Sequence, residues 1–294
     1  MLKDRVAVIT GAGNGLGRAH AMAMAAQGAS VVVNDIGTSH DGQGTSREPA
    51  DLVAVDIEKA GGKVVACYDS VATEEGANNI IRTALDSYGH IDILVNNAGI
   101  IRNQPVYEVP TIDWDTMVKT HLYGTFFCTR AASAIMKEQG YGRIINTSSH
   151  IGLGFQGQPT YSAVKEGIVG FSRSVARDMA PYGVTCNVIR PIAAWRGVKV
   201  RNERVEVNRP EDVAVLVVYL ASEAADHING CIFEVWRGHV GIFTEPPPVA
   251  QTLWKNDPWT PEELANIMPE TLTKGRSREN LPFTLPALFK PPKV

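Results

Sequence analysis

Thr10-Gly11-Ala12-Gly13-Asn14-Gly15-Leu16-Gly17 follows a short apolar run, Arg5–Thr10, and opens an Ala- and Met-rich stretch, Leu16–Gln27. The order reads as strand, glycine turn, helix. Glycine lets the backbone turn tightly and approach a pyrophosphate, and a helix N-terminus offers free N–H groups and the positive end of its dipole. Gly11, Asn14, Gly15, Leu16 and Gly17 are therefore candidate phosphate-cradling positions, and Gly28 stops the helix. A glycine turn alone is a weak signal. Asp35 strengthens it: it ends the next apolar run, Ser30–Asp35, about 20 residues on, where an acid accepts ribose hydroxyls. A carboxylate there repels a 2′-phosphate, which favours NAD over NADP. The competing reading of Asp35 is a turn former before Gly37.

Working outward, further β-branched runs occur at Lys63–Tyr68, Ile91–Asn96, Gly142–Ser148, Gly183–Ile189 and Cys231–Val235. Most are continuously apolar, as in strands buried on both faces. Helical patterns lie between them, one starting at Pro210 with Glu211 and Asp212 in its first turn. The expectation is an α/β fold: a Rossmann-type doubly wound parallel sheet of about seven strands with helices on both faces.

Composition changes after Thr244. Ten of the seventeen prolines follow it, beginning with Pro246-Pro247-Pro248, and such a segment cannot extend the sheet. Residues 1–243 read as a catalytic domain holding the NAD and substrate sites together, and 244–294 as a proline-rich C-terminal arm. The arm carries one short-helix signal, Thr260-Pro261-Glu262-Glu263. Trp254, Trp259, Phe283 and Phe289 suggest that it packs on the domain or on a neighbouring subunit.

The whole chain has 294 residues, 44% hydrophobic, with a net charge of -3. No basic stripe supports nucleic-acid binding, and no run approaches the roughly 20 apolar residues of a membrane span. No charged-then-apolar leader precedes Arg5. Cys67, Cys128, Cys186 and Cys231 form no CxxC pair and lie apart from the histidines, so neither a metal site nor a disulfide framework is expected. A reducing, cytoplasmic setting fits.

Three further blocks carry chemistry: Asn96-Asn97-Ala98-Gly99, Ser148-Ser149, and Tyr161-Ser162-Ala163-Val164-Lys165. Tyr161 and Lys165, four apart, share a helix face. A phenol is a poor base at neutral pH, and an adjacent ammonium together with the positive nicotinamide of a cofactor favours the phenolate. With the glycine spacing, these blocks resemble the short-chain dehydrogenase family over residues 4 to about 242. Val33-Asn34-Asp35-Ile36-Gly37, Tyr68-Asp69-Ser70-Val71, His121-Leu122-Tyr123-Gly124 and Ile232-Phe233-Glu234-Val235 are similar to the dehydrogenase branch found in peroxisomal multifunctional enzymes of fatty-acid β-oxidation.

The resemblance implies catalytic Tyr161 and Lys165, a polarising serine, NAD as cofactor, and a homo-oligomer, dimer or tetramer. It places Asp69, Ser70 and Val71 around the adenine and Asn97, Ala98 and Gly99 along the dinucleotide. Tyr161 and Lys165 meet the nicotinamide ribose, and the backbone at Pro191 and Ile192 meets the carboxamide. Family spacing points to Ser148 as the serine; aligning Gly142–Ile145 and Gly152 points to Ser149, which is preferred, since only one of two neighbouring strand residues can face the site. His121 stands where many members keep an asparagine that holds a relay water, and reads equally well as a satisfied helix histidine. Arg190-Pro191-Ile192 and Val235-Trp236-Arg237-Gly238 depart from the family's usual Pro-Gly and Asp-Gly-Gly.

The expected reaction interconverts a secondary alcohol and a ketone on a bulky substrate, foremost a 3-hydroxyacyl-CoA, alternatively a 17β-hydroxysteroid. A catalytically silent NAD-binding regulator is the alternative of another class. The segment between Pro191 and Pro210 carries Arg196, Lys199, Arg201, Arg204 and Arg209, cations suited either to CoA phosphates or to a solvated loop.

Overall fold

Alternation along each central strand builds two cores back to back. Ile9, Val31, Val33, Val95 and Ile145 enter one apolar cluster. Their neighbours Val8, Val32, Leu94 and Ile144 enter the other. The strands are β1 (Val6–Thr10), β2 (Ser30–Asn34), β3 (Lys63–Cys67), β4 (Ile93–Asn96), β5 (Gly142–Thr147), β6 (Val184–Pro191) and β7 (Ile232–Trp236), all parallel. An eighth, β8 (His239–Ile242), runs antiparallel along β7. β1, β4 and β5 are buried throughout, and each fully buried Val or Ile contributes roughly 1.5–3 kcal/mol. In this computed structural model residues 1–39, 41–193, 208–244, 246–276 and 278 are described.

The strand order is β3-β2-β1-β4-β5-β6-β7-β8. The chain therefore lays β2 and β3 on one side of β1 and returns to place β4 on the other. Such a reversal opens a crevice at the carboxyl ends of β1 and β4. One face is covered by α1 (Gly15–Ala26), α2 (Glu48–Lys59) and α7 (Pro210–Ala221), which give Met24, Val53 and Val217 to the first cluster. The other carries α3 (Glu74–Tyr88) and α5 (Gly124–Gln139), with Ile80, Ala84, Cys128 and Ala132, and α6 (Pro159–Met179), with Ala176 and Met179. A shorter helix, α4 (Thr111–Met117), passes into a π-helical turn, Val118–Tyr123, before α5 begins.

The eighth strand adds to the expected seven. Val235-Trp236-Arg237-Gly238 is a hairpin: Gly238 takes a left-handed φ of 63° and reverses the chain onto β7. Only glycine adopts that conformation without steric cost.

The chain divides into two units, Met1–Phe243 and Thr244–Val294. Within the second, α8 (Pro261–Ile267) starts at a capping box. Thr260 Oγ1 accepts from the Glu263 N–H at 3.2 Å, and Glu263 accepts from the Thr260 N–H at 2.8 Å. Phe283 and Phe289 lie outside the described residues, as do Arg196, Lys199, Arg201 and Arg204. No described helix is long and apolar enough to cross a membrane.

Candidate active site

The carboxyl ends of β1 and β4 are stapled together by short-range hydrogen bonds. Thr10 Oγ1 accepts from the amides of Asn97 and Ala98, both at 3.1 Å. The Asn97 side chain donates back to the carbonyls of Thr10 at 3.0 Å and Gly11 at 3.1 Å. Asn97 thus shapes the glycine turn with the amide expected to meet a cofactor. The turn has no room for side chains at two further positions. A Cβ on Gly17 would stand 2.1 Å from the Gly11 carbonyl oxygen, and one on Gly13 2.8 Å from an Asp35 carboxylate oxygen. At Gly15 the space is open, beside the first amides of α1, which have no partner within their own helix. Asn14 precedes them in extended conformation.

Asp35 lies just past β2. Its two oxygens accept from the Gly13 N–H at 2.8 Å and the Gly37 N–H at 2.7 Å. A carboxylate has about four acceptor sites, so two remain for ribose hydroxyls. A closed glycine cradle, an open helix end and an oriented carboxylate together fit a nicotinamide dinucleotide. Further along, one Asp69 oxygen accepts from the Asn79 amide at 3.1 Å and the other from the Cys67 thiol at 3.6 Å. Ser70 Oγ accepts from the Ala72 N–H at 3.2 Å. Val71 is buried against Gly124, where a Cβ would come within 2.9 Å of it.

At the end of β5 the two serines diverge. Ser148 is buried and donates to the Lys165 carbonyl at 2.9 Å. Ser149 turns the other way and accepts from the Ile151 N–H at 3.2 Å, with its hydroxyl close enough to the Tyr161 phenol to favour the phenol's ionisation. Tyr161 and Lys165 lie one turn apart on α6, with Lys165 Nζ 5.5 Å from the Tyr161 ring centroid. The ammonium donates to the Thr147 carbonyl at 2.7 Å.

Burial governs the protonation of this group. It pushes Tyr161 up to about 12, with the Ser149 hydroxyl drawing the other way. It brings Lys165 down to about 7. In the protein without its cofactor desolvation is the largest influence on both groups, so the Lys165 ammonium acts on the phenol against a strong opposing effect. Further positive charge, or substrate alcohol sharing the phenolic proton, is needed.

His121 belongs to the π-helical turn. Its Nε2 stands 2.7 Å from the Ile100 carbonyl and 3.1 Å from the Ile100 N–H, and its ring meets Tyr161 edge-on at 5.4 Å. Gly99 makes the space, since a Cβ there would lie 2.5 Å from the imidazole. Burial, then the Lys165 charge, brings His121 down to about 3, against the pull of the Ile100 backbone. The ring is neutral and anchored to backbone, touching the tyrosine without bonding to its hydroxyl.

Two further expectations change. The Ile192 N–H is not open to a carboxamide, because it donates to the Val235 carbonyl at 3.0 Å as the β6–β7 ladder continues past Pro191. Arg209 engages Asp212 at 3.1 Å at the start of α7 rather than standing as a free cation. The residues not anticipated are Thr10, Thr147 and Arg190. The hydroxyl of Thr10 and the carbonyl of Thr147 carry no linear signal. Arg190 shows in sequence only as an irregular residue before Pro191.

Comparison with known proteins agrees with this geometry. A family model described as short chain dehydrogenase matches residues 5–195. The chain is 43% identical over 264 residues to the mouse peroxisomal multifunctional enzyme type 2, an alignment covering 88% of this chain but only 35% of that much longer enzyme. It is 35% identical over 280 residues to a hydroxyacyl-CoA dehydrogenase of Mycobacterium tuberculosis, covering 90% of this chain and 87% of the relative. A crystal structure of a short chain dehydrogenase from Mycobacterium avium superposes with a TM-score of 0.83 at 40% identity, covering 94% of this chain and 97% of that one.

Proposed function

Since the chain belongs to the short-chain dehydrogenase family, and is an oxidoreductase acting between CH–OH and carbonyl groups with a nicotinamide dinucleotide, we propose that its dinucleotide is NAD and its substrate a 3-hydroxyacyl-CoA. The observation that carries the reading is the convergence of Ser149, Tyr161 and Lys165 beside the glycine turn and Asp35. The pinned Asp35 carboxylate supports NAD, because a 2′-phosphate would meet a negative charge with no facing cation in the bonds it makes. The M. tuberculosis hydroxyacyl-CoA dehydrogenase, matched along nearly its whole length, supports the substrate.

In this mechanism NAD, when bound, supplies the hydride acceptor. Ser149 Oγ holds the substrate oxygen, and Tyr161 Oη takes its proton in oxidation or returns it in reduction. Lys165, fixed by the Thr147 carbonyl, holds the nicotinamide ribose and contributes positive charge beside the phenol. His121 packs the far side of the Tyr161 ring and keeps its angle. A homo-oligomer and a reducing, cytoplasmic setting belong to the same proposal. The first is supported by exposed Tyr107 and Ile112, the second by the four free cysteines.

The test is steady-state turnover, followed as NADH absorbance, with a 3-hydroxyacyl-CoA, the same acyl group on a pantetheine thioester, and a 17β-hydroxysteroid. The CoA ester is expected to have the highest kcat/KM. Tyr161→Phe should lower turnover by at least 10²–10⁴ while NADH still binds. A steroid or a small secondary alcohol outperforming the CoA ester refutes the substrate. A Tyr161→Phe enzyme keeping more than a tenth of turnover refutes the site, and turnover by neither form favours a silent NAD-binding protein.

A further inference from the structure

Arg190 has no obvious reason to be buried. It stands near the end of β6, 2% exposed. One terminal nitrogen donates to the Ser149 carbonyl at 3.0 Å, and the other to both Glu166 oxygens at 3.2 and 2.9 Å. The guanidinium lies 4.9 Å from the Phe243 ring centroid. Gly152 gives it space, since a Cβ there would come within 3.0 Å of the Glu166 carboxylate and 3.4 Å of the guanidinium. Glu166 directly follows Lys165 on α6. A single side chain on β6 therefore ties the loop that carries Ser149 to the helix that carries Tyr161 and Lys165.

Stability is a poor explanation for this arrangement. Buried ion pairs are often no more stabilising than apolar residues of the same volume. Here Arg190 Nε is buried without a hydrogen-bond partner among the described residues, which costs further stability. Glu166 keeps 43% of its side chain exposed, so it would hydrate readily if the arginine were gone. The Ser149 carbonyl accepts from the Gly152 N–H at 3.1 Å and from Arg190, the one side chain that bonds it among the described residues. Holding that carbonyl fixes the Ser149 backbone, and with it the direction of Oγ toward Tyr161.

We propose that Arg190, paired with Glu166, is a positioning residue for the reaction, locking Ser149 onto Tyr161 through the serine's own carbonyl. The inference rests on the reading of Ser149 and Tyr161 as catalytic residues. Misplacement of a reacting group by about 1 Å costs on the order of 10² in rate, so such a lock has a measurable effect. The Tyr161 phenol is faced by Ser149, Lys165 and His121. Near Arg190 lie Glu166, His150 and the Glu234–His239 pair, with His150 held down to about 4 by burial, against the pull of Glu234 and with Arg190 and His239 adding to it. Arg190 thus acts on the phenol through Ser149, and its loss should raise the pH at which Tyr161 ionises.

The test compares Arg190→Met, Glu166→Ala and the double variant, with Ser149→Ala and Tyr161→Phe alongside. Each is assayed for acetoacetyl-CoA reduction by NADH from pH 6 to 10, for NADH binding by fluorescence, and for folding by circular dichroism. Arg190→Met is expected to lower kcat about 10- to 100-fold, with NADH affinity within about twofold and the alkaline limb of the kcat profile moved to higher pH. Glu166→Ala should lower kcat in the same sense, and the double variant should be no worse than Arg190→Met. A folded Arg190→Met with unchanged kcat and pH profile overturns the proposal, as does loss of NADH affinity in parallel with kcat. If Arg190→Met fails to fold, Glu166→Ala decides, and an unaltered kcat and pH profile there overturns it equally. Activity in Tyr161→Phe and Ser149→Ala would mean that the reading of the site has failed and the inference with it. Inactivity of those two beside a normal Arg190→Met overturns the inference alone.

Discussion

Acidification should weaken this protein through a histidine on the helix that opens the nucleotide site. His20 lies on α1, fully buried, and neither ring nitrogen has a hydrogen-bond partner among the described residues. Burial alone brings it down to about 3 from an ordinary value of 6.5. In the unfolded chain the same ring takes a proton near pH 6.5. The unfolded state therefore gains protons first as pH falls, and stability present above pH 6.5 is lost progressively down to about pH 3. At pH 5.0 the ring is 1.5 units below its ordinary value, and at about 1.36 kcal/mol per unit the loss is about 2 kcal/mol.

His121, held at about 3, and His150, at about 4, have the same sign and add similar amounts. The three together approach about 6 kcal/mol, comparable with the roughly 5–15 kcal/mol that keeps a domain folded. His20→Leu isolates one share, because nothing among the described residues bonds to the ring. Urea unfolding at pH 7.5 and 5.0 should show the acid penalty reduced by about 2 kcal/mol in the variant. An equal penalty in both proteins refutes the argument. So does a His20 ring proton that titrates near its ordinary value in the folded state by NMR.

Asp35→Ala should collapse the preference for NAD, read as the ratio of kcat/KM for the two dinucleotides; a parent enzyme that prefers NADP would show that Asp35 does not meet the ribose. Ser149→Ala should reduce turnover far more than Ser148→Ala, since Ser149 acts on the Tyr161 phenol while Ser148 holds the α6 backbone. The reverse order, measured as kcat on the same substrate, would assign the polarising hydroxyl to Ser148.

The sheet was legible because its strands are apolar on both faces and carry few competing residues. Alternation also separated the two serines, as opposite faces lead to opposite environments. The features that escaped are those that depend on partners distant in the chain. His239–Ile242 is short and contains Gly241, so it lacks a strand pattern, and only the Gly238 turn hints at the hairpin. The six-residue π turn around His121 is too short for its pitch to register against ordinary helical spacing. Arg190 meets Glu166 and Ser149 across 24 and 41 positions of sequence, a pairing no local pattern encodes. The direction of the Tyr161 shift follows from desolvation, which residue spacing does not report.

The π turn at Val118–Tyr123 also sets how this part of the chain can vary in length. A π turn holds one residue more than an α turn over the same span. Deleting one residue there would restore regular helix and disturb few backbone hydrogen bonds. Because the extra residue is absorbed within the turn, the helices on either side would keep their phase, and the change would fall on the side chains of the turn itself. His121 would leave the Ile100 backbone, and Gly99 would face a void where the imidazole now fits. The segment should thus accept many substitutions on its exposed face and almost no change in residue number, so that here the count of residues matters more than most of their identities.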